Sequence, residues 1–167
     1  MIRVPWRAAV HSFMGNSALE SGCLILYERA GSWAGLFRNS LSRLAGQSRG
    51  VAVRETRSIP ECRDALKRAP TSVVGVELSG SNIDVALEFV AEAASRFPAA
   101  AVFVLAGHEQ RAYGGLAREL GAIDFVASPR SIRLQAEWIH RRLAQTPSSA
   151  MSVTDRIWAE LPWSSSG

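Results

Sequence analysis

Short apolar runs alternate with helical stripes along the chain from Cys23 onward. Five of these runs have the length and the bulky side chains of strands buried in a sheet. Between them, apolar residues recur every three or four positions, which is typical of helices with one buried face. The pattern therefore predicts five strand–helix units in succession, with strands at 23–27, 51–56, 72–78, 99–107 and 122–128.

Local signals mark the ends of several predicted helices. Ser58 and Glu61 form a capping box, and Pro60 lies in the first turn of the same helix, where no backbone N–H is needed. Pro70 and Pro98 follow the second and third helices. The inner faces of the five helices are predicted to be Trp33, Phe37, Leu41 and Leu44; Cys62, Ala65, Leu66 and Ala69; Val85, Phe89, Val90, Ala93 and Phe97; Tyr113, Leu116, Ala117 and Leu120; and Ile132, Ala136, Ile139 and Leu143.

This alternation specifies a parallel sheet with helices on both faces. Right-handed crossovers leave few arrangements, and the strand order 2-1-3-4-5 is common for five units. The sequence thus predicts one three-layer, flavodoxin-like α/β domain over residues 22–143. Residues 1–20 are predicted to be a flexible lead-in, and residues 144–167 a linker followed by a short amphipathic segment.

Charge and cysteine content narrow the function classes. The net charge is +4, but the arginines are interleaved with acids, as in Arg54-Glu55 and Arg118-Glu119, which argues against nucleic acid as the partner. The two cysteines, at positions 23 and 62, have no metal-binding spacing and lie in apolar surroundings, so buried free thiols are expected. No apolar run reaches membrane-spanning length, and a cytoplasmic location is predicted.

The carboxyl ends of the strands are where such a sheet binds ligands. The segment VFVLAGHEQRAYGGLARELGAIDFVASP (102–129) resembles, without a gap, the stretch from strand 4 to the strand 5 lysine–proline of bacterial response-regulator receiver domains, the CheY-like family. The segment ELSGSNID (77–84) keeps the spacing of the same family, with Asp84 where that loop usually carries an acid. The resemblance covers about residues 22–143 and implies the receiver fold.

Receiver domains hold Mg²⁺ between a pair of acids after strand 1 and a phosphoacceptor aspartate after strand 3, and a hydroxyl and a lysine then hold the phosphoryl oxygens. The resemblance places Tyr27 and Glu28 at the acid pair, Glu77 at the phosphoacceptor, Ala106 at the hydroxyl and Ser128 at the lysine. Without an ammonium or a hydroxyl, a phosphoryl group would have little electrostatic support. We therefore expect a pseudo-receiver with no enzymatic activity, no metal and no cofactor.

Two functions stay open at this stage. In the leading hypothesis the chain binds another protein in bacterial signalling or regulation, and Glu77 either mimics a charged, activated state or simply pairs with Arg29 or water. The rival is a small-molecule-binding or catalytic domain that uses Glu28, Glu77, His108 and Ser128, with His108 as a candidate general base or a solvated loop residue.

The resemblance also implies a docking or dimer surface on the fourth helix, fifth strand and fifth helix. This surface offers Tyr113, Phe125 and Trp138, and the fifth helix is rich in arginine, a composition typical of interfaces. A homodimer through this face is a second option, and Trp138 packed beneath C-terminal residues is a third. The segment 152–163 must bury its apolar side on the domain or in a partner, through Ile157, Trp158, Leu161 and Trp163.

Overall fold

The computed structural model describes residues 20–44 and 50–145. Their five strands form one parallel sheet in the order β2–β1–β3–β4–β5, which confirms the predicted flavodoxin-like topology. The predicted lead-in and nearly all of the C-terminal segment, including Ile157, Trp158, Leu161 and Trp163, lie outside the described residues. In chain order, the elements are β1 (Leu24–Tyr27), α1 (Ser32–Leu44), β2 (Val53–Thr56), α2 (Ile59–Arg68), β3 (Val73–Leu78), α3 (Ile83–Arg96), β4 (Ala101–Ala106), α4 (Gly114–Glu119), β5 (Asp124–Val126) and α5 (Ile132–Gln145).

The sheet separates two apolar layers. Successive side chains of a strand point to opposite faces, so Leu24 and Leu26 pack beneath α1 and α5, whereas Ile25 packs beneath α2 and α3. Within the α1–α5 layer, the rings of Phe37 and Phe103 meet edge to face with centroids 5.7 Å apart. Both faces are covered by helices, which explains why the central strands read as continuous apolar runs in the sequence.

Gly75 lies at the middle of β3, where Leu26 and Phe103 approach its backbone from the neighbouring strands. A Cβ atom at this position would lie 2.6 Å from Leu26 Cδ2 and 2.7 Å from Phe103 Cζ. Both distances are below van der Waals contact, so only glycine leaves room for these two side chains. The glycine thereby allows Phe103 to reach Phe37 on α1.

Two predicted inward positions are wrong. Val85 on α3 is 54 % exposed and Leu116 on α4 is 44 % exposed. The buried stripe of α3 begins one residue later, at Ala86, and continues through Val90 and Ala93. This displacement of one residue rotates a helical position by about 100°, which is enough to carry Val85 to the surface.

The fourth unit is less regular than the pattern predicted. A 3-10 segment spans His108–Tyr113, and the α-helical part covers only Gly114–Glu119. Gly114 and Gly115 are the first two residues of this helix, and their low helix propensity fits its short length. The fifth strand is also shorter than predicted, because Asp124–Val126 alone pair with β4.

The two edges of the sheet are protected differently. On β2, Glu55 pairs with both Arg38 and Arg57, and Arg54 pairs with Glu20. At the other edge, β5 offers only three residues. Among the described residues, no helix is long and apolar enough to cross a membrane.

Candidate functional site

The sheet register brings the predicted pocket residues to one edge. Tyr27 pairs with Val76, so the next residues along the two strands, Glu28 and Glu77, are neighbours. The Tyr27 side chain is 6 % exposed and packs in the core beneath α2 and α3, so it does not face the pocket. The residues that follow β1 are thus Glu28 and Arg29, and the predicted pocket shifts by one residue at this strand.

Glu28 is a fully buried carboxylate that caps α1. Its Oε2 accepts a hydrogen bond from the backbone N–H of Trp33 at 2.8 Å, and its Oε1 accepts one from Ala34 at 2.9 Å. These N–H groups belong to the first turn, where no helical partner exists. The side chain is 0 % exposed, so both of its oxygens serve the fold instead of facing a ligand.

Glu77 is bound to the loop after β1 by Arg29. The backbone N–H of Arg29 donates to Glu77 Oε2 at 2.7 Å, and the Arg29 guanidinium donates to Ser81 Oγ at 3.0 Å. Arg29 therefore connects the β1–α1 loop with both β3 and the loop that follows it. The contact between Arg29 and Glu77 is made by the backbone amide of Arg29, whereas its guanidinium bonds Ser81, so this hydrogen bond is not the predicted pairing of the two charged side chains.

The β3–α3 loop is also held from inside. Asn82 Oδ1 accepts from the Ser79 N–H at 2.8 Å, and Asn82 Nδ2 donates to the Glu77 carbonyl at 2.9 Å. The hydroxyl groups of Ser79 and Ser81 lie 3.3 Å apart. Asn82 is 8 % exposed, so its amide is a buried brace that fixes the loop next to Glu77.

The remaining pocket positions provide little polar chemistry. Ala106 ends β4, pairs with Leu78 and is 1 % exposed. Ser128 Oγ accepts from the Arg130 N–H at 3.3 Å and so caps a 3-10 turn. His108 is an exposed residue of the 3-10 segment after β4. The edge therefore offers no hydroxyl at the end of β4 and no ammonium after β5.

Arg57 belongs to this edge although no pattern of residues singles it out. Its Nη1 donates to the Glu28 carbonyl at 3.0 Å, and its Nη2 pairs with Glu55. Gly31, with φ of +81°, makes room, because a Cβ there would lie 3.1 Å from Arg57 Nη2. A glycine four residues after the end of β1 was the one available signal, and it indicates close approach without identifying the neighbour.

The residues at this edge do not fit a divalent cation. Mg²⁺ and Ca²⁺ need several free oxygen ligands, whereas both Glu28 oxygens and one Glu77 oxygen already accept backbone N–H groups. Arg29 supplies a positive charge where an acid would be needed. Within the described part of the chain, no group of three His, Cys, Asp or Glu residues is arranged to hold a metal ion.

Grooves elsewhere on the surface do not include the pocket residues. One groove lies between α1 and β2, a second at the end of α5, and a third between β2 and α2. None of them is lined by Glu28, Glu77, His108 or Ser128. The small-molecule hypothesis uses Glu28 together with Glu77, His108 and Ser128, and the Glu28 side chain has no exposed surface.

The predicted partner residues are placed on α5, on β5 and before α4. Tyr113, Phe125 and Trp138 are each partly buried, and the Phe125 ring carbons lie 3.5 Å from the Cβ position of Gly114. The Arg142 guanidinium carbon lies 5.9 Å from the centroid of the Trp138 ring. Three large apolar side chains are also exposed here: Leu116 on α4, Ile123 just before β5 and Leu134 on α5.

The fold of the described residues is similar to that of solved response-regulator receiver domains. A response regulator from Thermotoga maritima is 16 % identical over 75 % of this chain and 99 % of its own, with a TM-score of 0.61. An orphan response regulator of H. pylori is 22 % identical over 74 % of this chain and 97 % of its own, with a TM-score of 0.58. A CheY-like protein, TadZ, from Pseudomonas aeruginosa is 19 % identical over 76 % and 97 %, with a TM-score of 0.59.

At these identities the likeness concerns the fold. No protein-family profile matches the sequence, and neither does any curated protein. The particular function of this chain must therefore be argued from its own residues.

Proposed function

We propose that this chain is a pseudo-receiver that acts in bacterial signalling or regulation by binding another protein, without phosphotransfer. The observation that carries the proposal is the chemistry of the strand ends. Ala106 replaces the hydroxyl, Ser128 replaces the lysine and caps a turn, and Glu28 is buried against α1. An acyl phosphate on Glu77 would have no side-chain hydroxyl or ammonium at these positions to balance its charge.

The absence of phosphotransfer can be tested directly. We expect no mass increase of one phosphoryl group when the chain is incubated with acetyl phosphate and Mg²⁺, and no spectral change with beryllofluoride and Mg²⁺. A receiver domain with an intact aspartate site, treated in parallel, confirms that the reagents are active. Stoichiometric modification of Glu77 would contradict the proposal.

The surface of α4, β5 and α5 is the proposed docking surface. Leu134 is 69 % exposed, and it lies one helical turn before Trp138 on α5. The groove at the end of α5 combines Trp138 with Arg141 and Arg142. Aromatic and arginine side chains are enriched at interface hot spots, and exposed leucine adds apolar area that a partner can cover. A second copy of the chain on the same face is the alternative occupant.

Paired surface variants test this assignment. Leu134→Ala combined with Trp138→Ala should reduce the amount of bound partner at least tenfold in an affinity capture from the native host. Val85→Ala is the matched control, because Val85 is an exposed apolar residue of α3, outside this surface. Equal losses for both variants would contradict the assignment. Sedimentation of the purified chain shows whether the occupant is a second copy, and a chain ending at Ala144 shows whether the C-terminal residues take part.

A further inference from the structure

The fold implies a divalent cation between the ends of β1 and β3, and the residues there do not fit one. We propose that Arg29 performs the bridging role of that cation, so that the β1–α1 and β3–α3 loops keep one arrangement without Mg²⁺. Arg29 is thus a positioning residue. The inference rests on the proposed function, because a chain that accepted phosphoryl groups would need the ion.

Glu28 is not available to an ion. Its two oxygens accept the N–H groups of Trp33 and Ala34, and the side chain is 0 % exposed. Turning this carboxylate toward an ion would leave two buried N–H groups without partners, and each such group is costly. The acid that follows β1 is therefore committed to the start of α1.

Arg29 connects the two loops, one contact being with Glu77. A cation between two loops works by drawing oxygen atoms from both to one point. Here the Arg29 N–H meets Glu77 Oε2 at 2.7 Å, and the Arg29 guanidinium meets Ser81 Oγ at 3.0 Å. One residue of the first loop thereby contacts β3 and the second loop. The guanidinium at Ser81 also brings a positive charge to the second loop, and that charge disfavours Mg²⁺ nearby.

The surrounding contacts support a fixed arrangement. Asn82 holds the β3–α3 loop through Ser79 and the Glu77 carbonyl, and Arg57 holds the β1 end through the Glu28 carbonyl at 3.0 Å. Both loops are therefore braced on the sides that Arg29 does not reach. In a receiver that switches, these loops respond to the ion and the phosphoryl group; here the contacts that hold them come from residues of the chain itself.

A magnesium titration of the full chain tests the proposal. MgCl₂ should leave the melting temperature of the wild type unchanged relative to NaCl of matched ionic strength. Arg29→Asp restores an acid beside Glu77 and should gain a saturable rise of about 3–6 °C at millimolar Mg²⁺. Arg43→Asp is the charge-matched control: α1 has 13 residues and starts at this edge, so Arg43, near its end, lies roughly 15–20 Å away. It should gain nothing.

Two results would overturn the inference: a Mg²⁺-specific rise in the wild type, or no gain in a folded Arg29→Asp. Should Arg29→Asp fail to fold, hydrogen exchange in milder variants decides. Arg29→Met and Ser81→Ala should each speed exchange of the Ser79 amide by about two- to fivefold, and the double variant should add nothing further. Additive effects would show that the two residues do not act together.

These readouts separate the inference from the proposed function. Phosphorylation at Glu77 would contradict the proposed function, and it would be detected as a covalent product. The magnesium titration and the exchange measurements need no phosphoryl donor, so they can fail while the acetyl phosphate assay still gives no product.

Discussion

A buried carboxylate is costly unless its charge is matched, and Glu28 shows how a helix start can match it. Two N–H groups of the first turn of α1 bind its oxygens. The positive end of the α1 dipole adds to the same effect. Glu28, at the position of one metal-binding acid of receiver domains, thus connects β1 to the start of α1.

The stability of the protein should depend strongly on Glu28. Glu28→Ala leaves two buried N–H groups unpaired and should lower the free energy of unfolding by about 2–3 kcal/mol. Glu28→Gln keeps one acceptor and should cost less than Glu28→Ala. Urea denaturation measures both.

Glu61 provides the comparison for Glu28. Its Oε2 accepts a single N–H from Arg57 at 2.8 Å at an exposed helix start, so Glu61→Ala should cost under about 1 kcal/mol. Equal losses at Glu28 and Glu61 would show that burial does not set the cost.

The sequence identified Glu28 and Glu77 as strand-end acids but not their roles. Strand-end position follows from the apolar run before each residue. The direction of the Glu28 side chain depends instead on where α1 starts, four residues later, and on the turn that brings Trp33 back over it. The contact from Arg29 to Glu77 spans 48 positions in the chain, and no local pattern encodes a partner at that distance.

At the scale of elements, small residues at close contacts decide how the layers meet. Gly75 faces Leu26 and Phe103 at distances that exclude a methyl group. Gly35, in the interior of α1, has nothing within 4 Å of its Cβ position. One glycine is thus required by packing, whereas the other only lowers the helix propensity of α1.

The same substitution should therefore have opposite effects at these two positions. Gly75→Ala should lower the free energy of unfolding by about 1–3 kcal/mol, because the core must shift around the added methyl group. Gly35→Ala should raise it by about 0.5–1 kcal/mol through better helix propensity. Chemical denaturation of both variants checks the signs, and a stable Gly75→Ala would contradict the packing argument.

The buried face of an element could be predicted where its apolar residues recur at a clear spacing, and could not where they do not. The stripe Ile132, Ala136 and Ile139 is buried as predicted. In α3, by contrast, apolar residues are so dense that two adjacent stripes fit the sequence, and Val85 was assigned to the wrong one. β5 is short because only Asp124–Val126 pair with β4, and the apolar pattern of a strand does not show where pairing ends.

At the scale of the whole molecule, the buried thiol of Cys62 depends on the packing of α2 against the sheet. Cys62 is 0 % exposed, and burial raises the pKa of its thiol to about 12, while a hydrogen bond with Thr56 opposes this in part. In the unfolded chain the ordinary thiol pKa of 9.0 applies. The neutral thiol thus favours the folded state fully below pH 9, and this contribution declines as the pH rises toward 12.

Cys62 should accordingly be inert to thiol reagents until α2 separates from the sheet. In a Cys23→Ala variant, labelling at about pH 8 should be slow in buffer and complete within seconds in denaturant. Labelling in buffer should also speed up in step with any substitution that destabilises the whole fold. Rapid labelling of the native protein would show that the α2 layer opens by itself.

The protected margins of the sheet limit how this molecule can assemble. Ion pairs of Glu55 and Arg54 surround β2, and β5 offers three residues, so neither border is a good template for an added strand. Complexes of this protein should therefore form by helix-to-helix or helix-to-loop contact, and concentrated samples should resist growth into fibrils. Growth by strand addition is therefore disfavoured at both edges, whereas the proposed docking surface uses side chains of α4, β5 and α5 and leaves the backbone of the sheet unpaired with any partner strand.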